Sequence, residues 1–306
     1  MTAVDAGLRR CWRPDFVVDI VAALGAARRG PGDPTVRRVG AVHWRASNTP
    51  AGAATVALRR ASDGAVDAQA WGPGAQWVLD GMPALLGADD DPASFVSHHE
   101  RVEAARRRLP HLRLAATGAV WDVLLGAVLE QKVTNIEAFR SWRELAWRFG
   151  ECAPGPTPES LRLPPNPERV LAIPEWEWHR AGVDFSRRRA LLGAASVAGR
   201  LERAAQLRGE QGRALLRKVP GVGVWTAAEV AQRAWGDPDA VSFGDFHLST
   251  VVGWALAGRP VDDAGMAQLL APYVGHRHRA VQLLLATGAP RPRFGPRLSP
   301  RNYRGC

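Results

Sequence analysis

A short glycine-containing turn and a carboxylate that follows it are the residues of this chain that most clearly suggest chemistry. The turn covers residues 219–223, with Pro220, Gly221 and Gly223, and is too short for anything but a tight hairpin. Apolar residues recur at helical spacing on both sides of it, which predicts two helices. Because unpaired amides and the positive end of the dipole coincide where the second helix begins, the hairpin predicts a phosphate-binding site.

Asp245 is the candidate catalytic residue. It stands in the segment Val-Ser-Phe-Gly-Asp-Phe-His at residues 241–247, just before an apolar-periodic stretch at residues 248–256. This placement predicts a carboxylate at a helix N-terminus, beyond the hairpin. Two simpler interpretations exist, because Pro-Gly-Val-Gly alone is an ordinary turn and an Asp that opens a helix is usually an N-cap. The combination of the hairpin, Trp225-Thr226-Ala227 and Asp245 favours function.

The segment from Val219 to Asp245 resembles the helix-hairpin-helix and Gly/Pro-Asp motif of the DNA glycosylase superfamily, and more narrowly the bacterial inducible 3-methyladenine DNA glycosylase II type. The resemblance implies a mainly α fold, in which a helix-hairpin-helix glycosylase bundle follows a small α+β domain with an antiparallel sheet. It implies that Asp245 is catalytic. The residues it implies for the base pocket are Trp225, Glu229 and Phe246, and those for DNA binding are Val219, Gly221, Gly223, Thr226, Lys132 and Val133.

The activity implied by the resemblance is that of a DNA glycosylase, which flips a damaged nucleotide out of the duplex and excises its base in base excision repair. A buried carboxylate beside C1′ stabilises the cationic sugar that forms. One carboxylate suffices for an alkylated, already cationic base, which favours 3-methyladenine or 7-methylguanine. Relatives with lyase activity carry Lys where this chain has Trp225, so a monofunctional enzyme is expected.

Two other functions remain open at this stage. The chain is alternatively a non-catalytic helix-hairpin-helix DNA-binding protein, or a glycosylase for deaminated or oxidised bases on the same scaffold. The role of Glu229 also stays open, because some relatives have an aromatic residue there. An acidic side chain at that position favours a cationic base or excludes an ordinary one. For Trp225, helix packing is the alternative to stacking on the base.

A helix break at Lys132 and Val133 is predicted from the residues that follow it. Thr134 with Glu137 at the third helical position is a capping-box signature, so a new helix begins there. In the resembling family this corner faces DNA and supplies the residue that fills the gap left by the flipped nucleotide. Whether Lys132 or Val133 inserts stays open, as does a lysine that is merely solvated.

Charge and cysteine content restrict the class of protein. The net charge is +10, and it is uneven, since residues 1–100 carry −1 and residues 101–306 carry +11. This asymmetry favours double-stranded DNA as the partner of the C-terminal part. A bias in base composition is the alternative source, because Lys132 and Lys218 are the only lysines among 40 basic residues. The three distant cysteines favour a reducing compartment and cannot hold an iron–sulfur cluster.

Further expectations concern location, cofactors and assembly. The sequence has no apolar run of transmembrane length and no signal-peptide pattern. We therefore expect a cytoplasmic, nucleoid-associated monomer that does not bind membranes. No cofactor and no catalytic metal are expected. The hairpin is a candidate site for a monovalent cation.

Three regions are predicted along the chain. Residues 1–95 form an α+β bracing domain, with a helix at 16–27 and strands at 36–46, 53–60 and 65–71. Residues 96–288 form the helical glycosylase core. Residues 289–306 are a Pro/Arg-rich tail, expected to be disordered or loosely bound to DNA. Within the core, the arginines at 187–189 are candidates for phosphate contact, and the basic run at 276–279 is expected to be solvated.

Overall fold

The computed structural model, which describes residues 7–288, begins with a five-stranded antiparallel sheet. The strands are β1 (Leu8–Trp12), β2 (Val36–Val39), β3 (Val42–Thr49), β4 (Gly52–Arg60) and β5 (Val66–Trp71). Their spatial order is β1-β5-β4-β3-β2. The strand predicted at 36–46 is two strands, because Gly40 takes a φ of +58° and turns the chain. β1 was not predicted, and it is held through pairing with the distant β5.

One layer of short helices covers the sheet. These are α1 (Ile20–Gly25), α2 (Ala75–Asp80) and α3 (Met82–Leu85). Leu58 and Val66 of the sheet pack with Leu79 and Met82 in a continuous buried cluster. The helix predicted at 16–27 is shorter than expected, since Asp19 caps it by accepting a hydrogen bond from the Ala22 amide.

The rest of the described chain is helical, which confirms the predicted fold class. The helices are α4 (Glu100–Arg108), α5 (Val120–Leu129), α6 (Asn135–Phe149), α7 (Pro167–Ala172), α8 (Glu175–Arg180), α9 (Phe185–Ala195), α10 (Ala198–Leu201), α11 (Ala204–Leu207), α12 (Gly209–Leu216), α13 (Val224–Ala234), α14 (Leu248–Ala257), α15 (Asp263–Leu270) and α16 (Arg277–Ala286), with a 3₁₀ turn at Ala271–Tyr273. The predicted capping box at Thr134 and Glu137 is present at the start of α6.

Two buried clusters divide these helices. The first cluster contains residues from all the helices from α5 through α13. Its centre is α5, every residue of which is buried. The second joins α4 with α14, α15 and α16, and it includes Phe95. Leu86 still packs in the cluster under the sheet. Phe95 belongs to the second helical cluster, whereas Ala115 packs again in the cluster under the sheet, so the chain passes between the two regions more than once. The hairpin valines belong to the first helical cluster, and the loop that carries Asp245 runs from Ala240 in the first cluster to Leu248 in the second.

Within residues 7–288, no helix is long and apolar enough to cross a membrane. The Pro/Arg-rich tail predicted at 289–306 lies outside the described residues.

Candidate active site

The hairpin lies between α12, which ends at Leu216, and α13, which begins at Val224. Its two valines, Val219 and Val222, are buried in the first helical cluster, while its glycines are exposed. Gly221 has a φ of +91°, and a Cβ there would lie 2.8 Å from the Cβ of Ala190 in α9. The turn can therefore approach α9 this closely only with glycine at this position.

The N-terminus of α13 is open to a ligand. Its N-cap residue is Gly223, and no side chain caps the helix. Gly223 has an ordinary extended φ of −90°, and no neighbouring atom lies within 4 Å of the position that a Cβ would occupy. The first amides of a helix have no partner within the helix, and the dipole adds partial positive charge there. This end of α13 is therefore suited to an anion such as a phosphate.

Gln131, which follows α5, joins the corner before α6 to the hairpin. Its Nε2 donates hydrogen bonds to the Gly221 carbonyl at 2.9 Å and to Thr226 Oγ1 at 2.8 Å. Thr226 is buried in the first turn of α13. Lys132, next in the chain, is exposed and has a φ of +54°, and Val133 is half-buried. The structure thus brings the predicted corner beside the predicted hairpin.

Asp245 lies in the loop between α13 and α14, with both carboxylate oxygens held by N–H donors. Oδ1 accepts from the backbone amides of His247 and Leu248, at 2.8 and 3.0 Å. Oδ2 accepts from the indole Nε1 of Trp225 at 3.2 Å. One oxygen therefore anchors the start of α14, and the second lies against Trp225. Asp245 stands two residues before His247, the N-cap residue of α14, so its side chain fixes the first amides of the helix without being the N-cap and still presents an oxygen beside the aromatic ring.

The loop that carries Asp245 is fastened to one face of α13. Besides Trp225, Gln232 contributes Nε2 hydrogen bonds of 2.8 Å to the Ala240 carbonyl and to Ser242 Oγ. The Ser242 hydroxyl donates to Glu229 Oε1. Three side chains one helical turn apart thus fix the loop before the carboxylate. The position of Asp245 therefore depends on α13.

Glu229 is hydrogen-bonded within the protein through both oxygens. Its second oxygen accepts from Arg233 Nη1 at 2.6 Å. Burial by itself would raise the pKa of this carboxyl, but the charge of Arg233 and the hydrogen bond from Ser242 outweigh burial and lower the pKa. The side chain is an ionised member of an ion pair under the Asp245 loop. Its expected contact with a base stays a prediction.

Phe246 is the most exposed large apolar side chain near the site, at 79% of its full accessibility. Its ring meets that of His247 edge to face, with centroids 4.8 Å apart. A ring exposed to this degree offers a face on which another ring can stack. It is therefore available to a base, although its role in a pocket stays a prediction.

Two expectations about basic residues are wrong. Arg187 does not face solvent, since it is 4% exposed and donates to the Leu129 carbonyl at 2.9 Å and the Gly182 carbonyl at 2.9 Å. Arg188 pairs with Glu175, and of the three only Arg189 is exposed. In the run at 276–279, His278 and Arg279 are buried. Arg187, Arg188 and Arg279 bind carbonyl or carboxylate oxygens of elements that are distant in the sequence. Short-range sequence patterns do not show such partners.

Sequence reasoning missed three residues that support the site, namely Gln131, Ser242 and Arg29. Arg29 belongs to the sheet region, yet its Nη1 lies 2.6 Å from Glu130 Oε1 and its Nη2 donates to the Val123 carbonyl at 3.3 Å. Arg29 therefore fixes the C-terminal part of α5 from the side of the sheet region. A polar residue between an apolar helix and a capping box was the available signal for Gln131. For Arg29 there was none.

Among residues 7–288, no three His, Cys, Asp or Glu side chains are grouped so as to hold a metal ion. The expectations about cofactors therefore stay predictions.

Neither a family model nor a curated protein sequence matches the chain. Solved structures do. The 3-methyladenine DNA glycosylase of Archaeoglobus fulgidus superposes with a TM-score of 0.73 at 15% identity, over 90% of this chain and 97% of that chain. The apo 8-oxoguanine glycosylase/lyase of Clostridium acetobutylicum superposes with a TM-score of 0.67 at 12% identity, over 93% and 99%. The same enzyme bound to double-stranded DNA superposes at 0.68 and 11% identity, over 94% and 98%.

These similarities extend over the sheet region and the helical bundle alike, and not only over the hairpin. The protein has the fold of the helix-hairpin-helix DNA glycosylases.

Proposed function

We propose that the protein is a DNA glycosylase in which Asp245 is the catalytic residue. The observation that carries the proposal is the Asp245 carboxylate, held between the N-terminus of α14 and the Trp225 indole, beside a hairpin whose helix N-terminus has no side-chain cap. The fold is shared with the structures of a 3-methyladenine DNA glycosylase and of an 8-oxoguanine glycosylase/lyase.

DNA binding follows from the open end of α13 and the charge of the chain. A phosphate at Gly221 and Gly223 meets free amides, and the +11 charge of residues 101–306 attracts the rest of the backbone. A base in a duplex is out of reach while it is stacked, so the nucleotide must rotate out at a cost of roughly a few kcal/mol. In this proposal the corner at Lys132 and Val133, of which Lys132 is exposed, occupies the space that the nucleotide leaves.

Bond cleavage requires one negative charge beside the sugar. As the N-glycosidic bond breaks, its electron pair leaves with the base and C1′ becomes cationic. The Asp245 carboxylate stabilises this cation and orients a water molecule, whose oxygen bonds to C1′ while its proton is released. Because Oδ1 is held by two backbone amides, Oδ2 is the oxygen that meets the sugar or the water. Trp225 then offers its ring face to an electron-poor base.

The finer proposal is a monofunctional enzyme for alkylated bases of the 3-methyladenine or 7-methylguanine type. Glu229 is paired with Arg233, which leaves the Asp245 carboxylate for the sugar, and Trp225 stands at the position where lyases of the resembling family have lysine. A base that is already cationic leaves without a proton donor, so one carboxylate is enough. The proposal includes a cytoplasmic, nucleoid-associated monomer that works without a cofactor.

The test is release of free base from duplexes that carry 3-methyladenine, 7-methylguanine, 8-oxoguanine, hypoxanthine or uracil. We expect release of the alkylated bases by the wild type. For Asp245→Asn we expect a loss of at least about a thousandfold with DNA affinity retained, as is typical when a transition-state charge contact is removed. Wild-type protein that releases no base would leave only DNA binding. An active Asp245→Asn variant would remove the residue assignment.

Lyase activity is tested separately. Borohydride trapping on abasic DNA detects an imine between the sugar and a lysine. We expect no trapped adduct. An adduct with the wild type that disappears in Lys132→Arg or Lys218→Arg would contradict the monofunctional proposal and identify the amine.

A further inference from the structure

We propose that Gln131 is a positioning residue that couples insertion of the corner at Lys132 into the duplex to closure of the hairpin on the DNA backbone. This inference rests on the proposed function, since it describes how the same site extrudes a nucleotide. In the described residues, one amide group ties the residue before the corner to both the hairpin loop and the first turn of α13.

The two hydrogen bonds fix how Gln131 is oriented. The Gly221 carbonyl can only accept, so the Gln131 atom that faces it must be Nε2. Its second hydrogen points to Thr226 Oγ1, which accepts it. Both donors of the amide are therefore used on the phosphate-binding element. The two contacts span 90 and 95 residues of sequence, so they join parts of the site that are otherwise far apart along the chain.

The corner itself is short and constrained on both sides. On one side is Gln131, and on the other is the capping box, in which the Thr134 amide donates to Glu137 Oε2 at 2.8 Å. Only Lys132 and Val133 lie between these two anchors. Lys132 takes a φ of +54°, a left-handed conformation that non-glycine residues adopt where surrounding contacts impose it. Its exposed side chain follows directly after the residue whose amide is bound to the hairpin.

The consequence is mechanical. When a phosphate binds at the amides of α13, the hairpin carbonyl and Thr226 hold Gln131, and Gln131 holds Lys132. A hairpin seated on the backbone then keeps the corner in place to fill the gap in the base stack. Without the amide, the hairpin still binds phosphate and Asp245 still meets an already extruded base. The loss falls on the extrusion step alone.

The variant that tests this is Gln131→Leu, which keeps the approximate side-chain volume and removes both donors. Gln206→Leu is the matched control, since Gln206 is exposed in α11. Single-turnover excision is measured on two duplexes with the same lesion, one correctly paired and one with the lesion opposite an abasic site. The loss of two neutral hydrogen bonds corresponds to a decrease in the excision rate of about tenfold or more. We expect at least that loss for the paired lesion and about a twofold change or less for the unpaired one.

An equal loss on both duplexes would mean a merely structural role for Gln131, and no loss on either would mean that the contacts carry nothing. Each result overturns the inference. If Gln131→Leu does not fold, Gln131→Met, which also removes both donors, takes its place and should show the same selective loss. Lys132→Ala added to Gln131→Leu should cost less than Lys132→Ala alone, because the corner is already uncoupled.

A second readout separates this inference from the proposed function. Fluorescence of 2-aminopurine placed next to the target reports unstacking without bond cleavage, so it can be recorded in Asp245→Asn protein. We expect Gln131→Leu to lower the fluorescence rise on the paired duplex at saturating protein. If the wild type cleaves no lesion but this difference remains, the coupling stands and the glycosylase proposal falls. If cleavage is normal and the difference is absent, the coupling falls alone.

Discussion

Gly221 and Gly223 stand two residues apart in the same hairpin, yet the structure predicts opposite consequences for alanine at each. At Gly221, alanine would have to adopt a φ of +91° and place its Cβ 2.8 Å from the Cβ of Ala190. At Gly223, φ is −90° and no atom lies within 4 Å of the added methyl. The first change therefore strains the fold, whereas the second leaves it intact.

The size of the Gly221→Ala effect follows from two terms. A left-handed conformation costs an ordinary residue roughly 1–2 kcal/mol. Overlap with a Cβ on a packed helix adds about 1–2 kcal/mol, since neither atom is at the end of a flexible chain. The free energy of unfolding should fall by about 2–4 kcal/mol, and Tm by roughly 4–12 °C. For Gly223→Ala, Tm should stay within about 2 °C, because the substitution also restricts the unfolded chain.

DNA affinity distinguishes the two variants further. The methyl group of Gly223→Ala would stand at the open end of α13, where the proposed phosphate lies, so affinity should fall while Tm does not. The assays are thermal unfolding and fluorescence anisotropy with duplex DNA at several salt concentrations, because phosphate contacts show in the salt slope. A Gly221→Ala protein as stable as the wild type would refute the geometric argument. A Gly223→Ala protein with unchanged affinity would refute the phosphate assignment.

Three further predictions concern the supports of the site and of the fold. Trp225→Phe keeps an aromatic ring but removes the donor to Asp245, so we expect kcat to fall about tenfold while KM changes little, because one hydrogen bond to a charged group is lost. A large rise in KM with kcat unchanged would show that Trp225 only binds the base. Ser242→Ala should lower kcat several-fold with a fall in stability of about 1 kcal/mol, and Glu229→Gln should lower both more strongly because Arg233 stays buried without its anion. Unchanged kcat in both variants would mean that the loop does not depend on α13. Burial raises the pKa of Asp122 to about 7 against the hydrogen bonds from Asn48, so the native state holds a proton that the unfolded state releases near pH 4. The contribution of Asp122 to stability should accordingly fall as pH rises from about 4 to about 7, while carboxyls with a lowered pKa, such as Glu210 and Asp239, act in the opposite sense. The Tm of Asp122→Asn measured relative to that of the wild type should therefore rise over this pH range.

The parts of the site that could be predicted are those whose structure is determined by residues close together in the sequence. The hairpin depends on Pro220 and two glycines in sequence, and the start of α6 depends on Thr134 and Glu137, so local patterns were enough. The resemblance to a glycosylase motif implied that Trp225 and Asp245 belong to one site, and the two side chains are hydrogen-bonded in the structure. The resemblance of this segment to a glycosylase motif then implied the remaining architecture, which the structure confirms.

The parts that could not be predicted depend on contacts between distant segments. Nothing near Arg187 shows that its guanidinium meets a carbonyl at the end of α5, and so its triplet was misread as a phosphate-facing cluster. Ser242 is a small polar residue whose partners, Glu229 and Gln232, are known only when α13 and the loop are placed together. A polar residue type indicates that the side chain needs a hydrogen-bond partner, but it does not indicate which residue that partner is.

The sheet region is more than a support on which the helices rest. The guanidinium of Arg29 fills the space above Gly126, where an added Cβ would lie 2.4 Å from its Nε, and it neutralises Glu130 beside the corner. Replacing the sheet region by that of another protein would leave Glu130 without its cationic partner and an unfilled space next to Gly126 of α5. The two regions therefore depend on each other at this contact, and a chimera with a different sheet region would need an arginine in the place of Arg29 to cover Gly126 and to pair with Glu130.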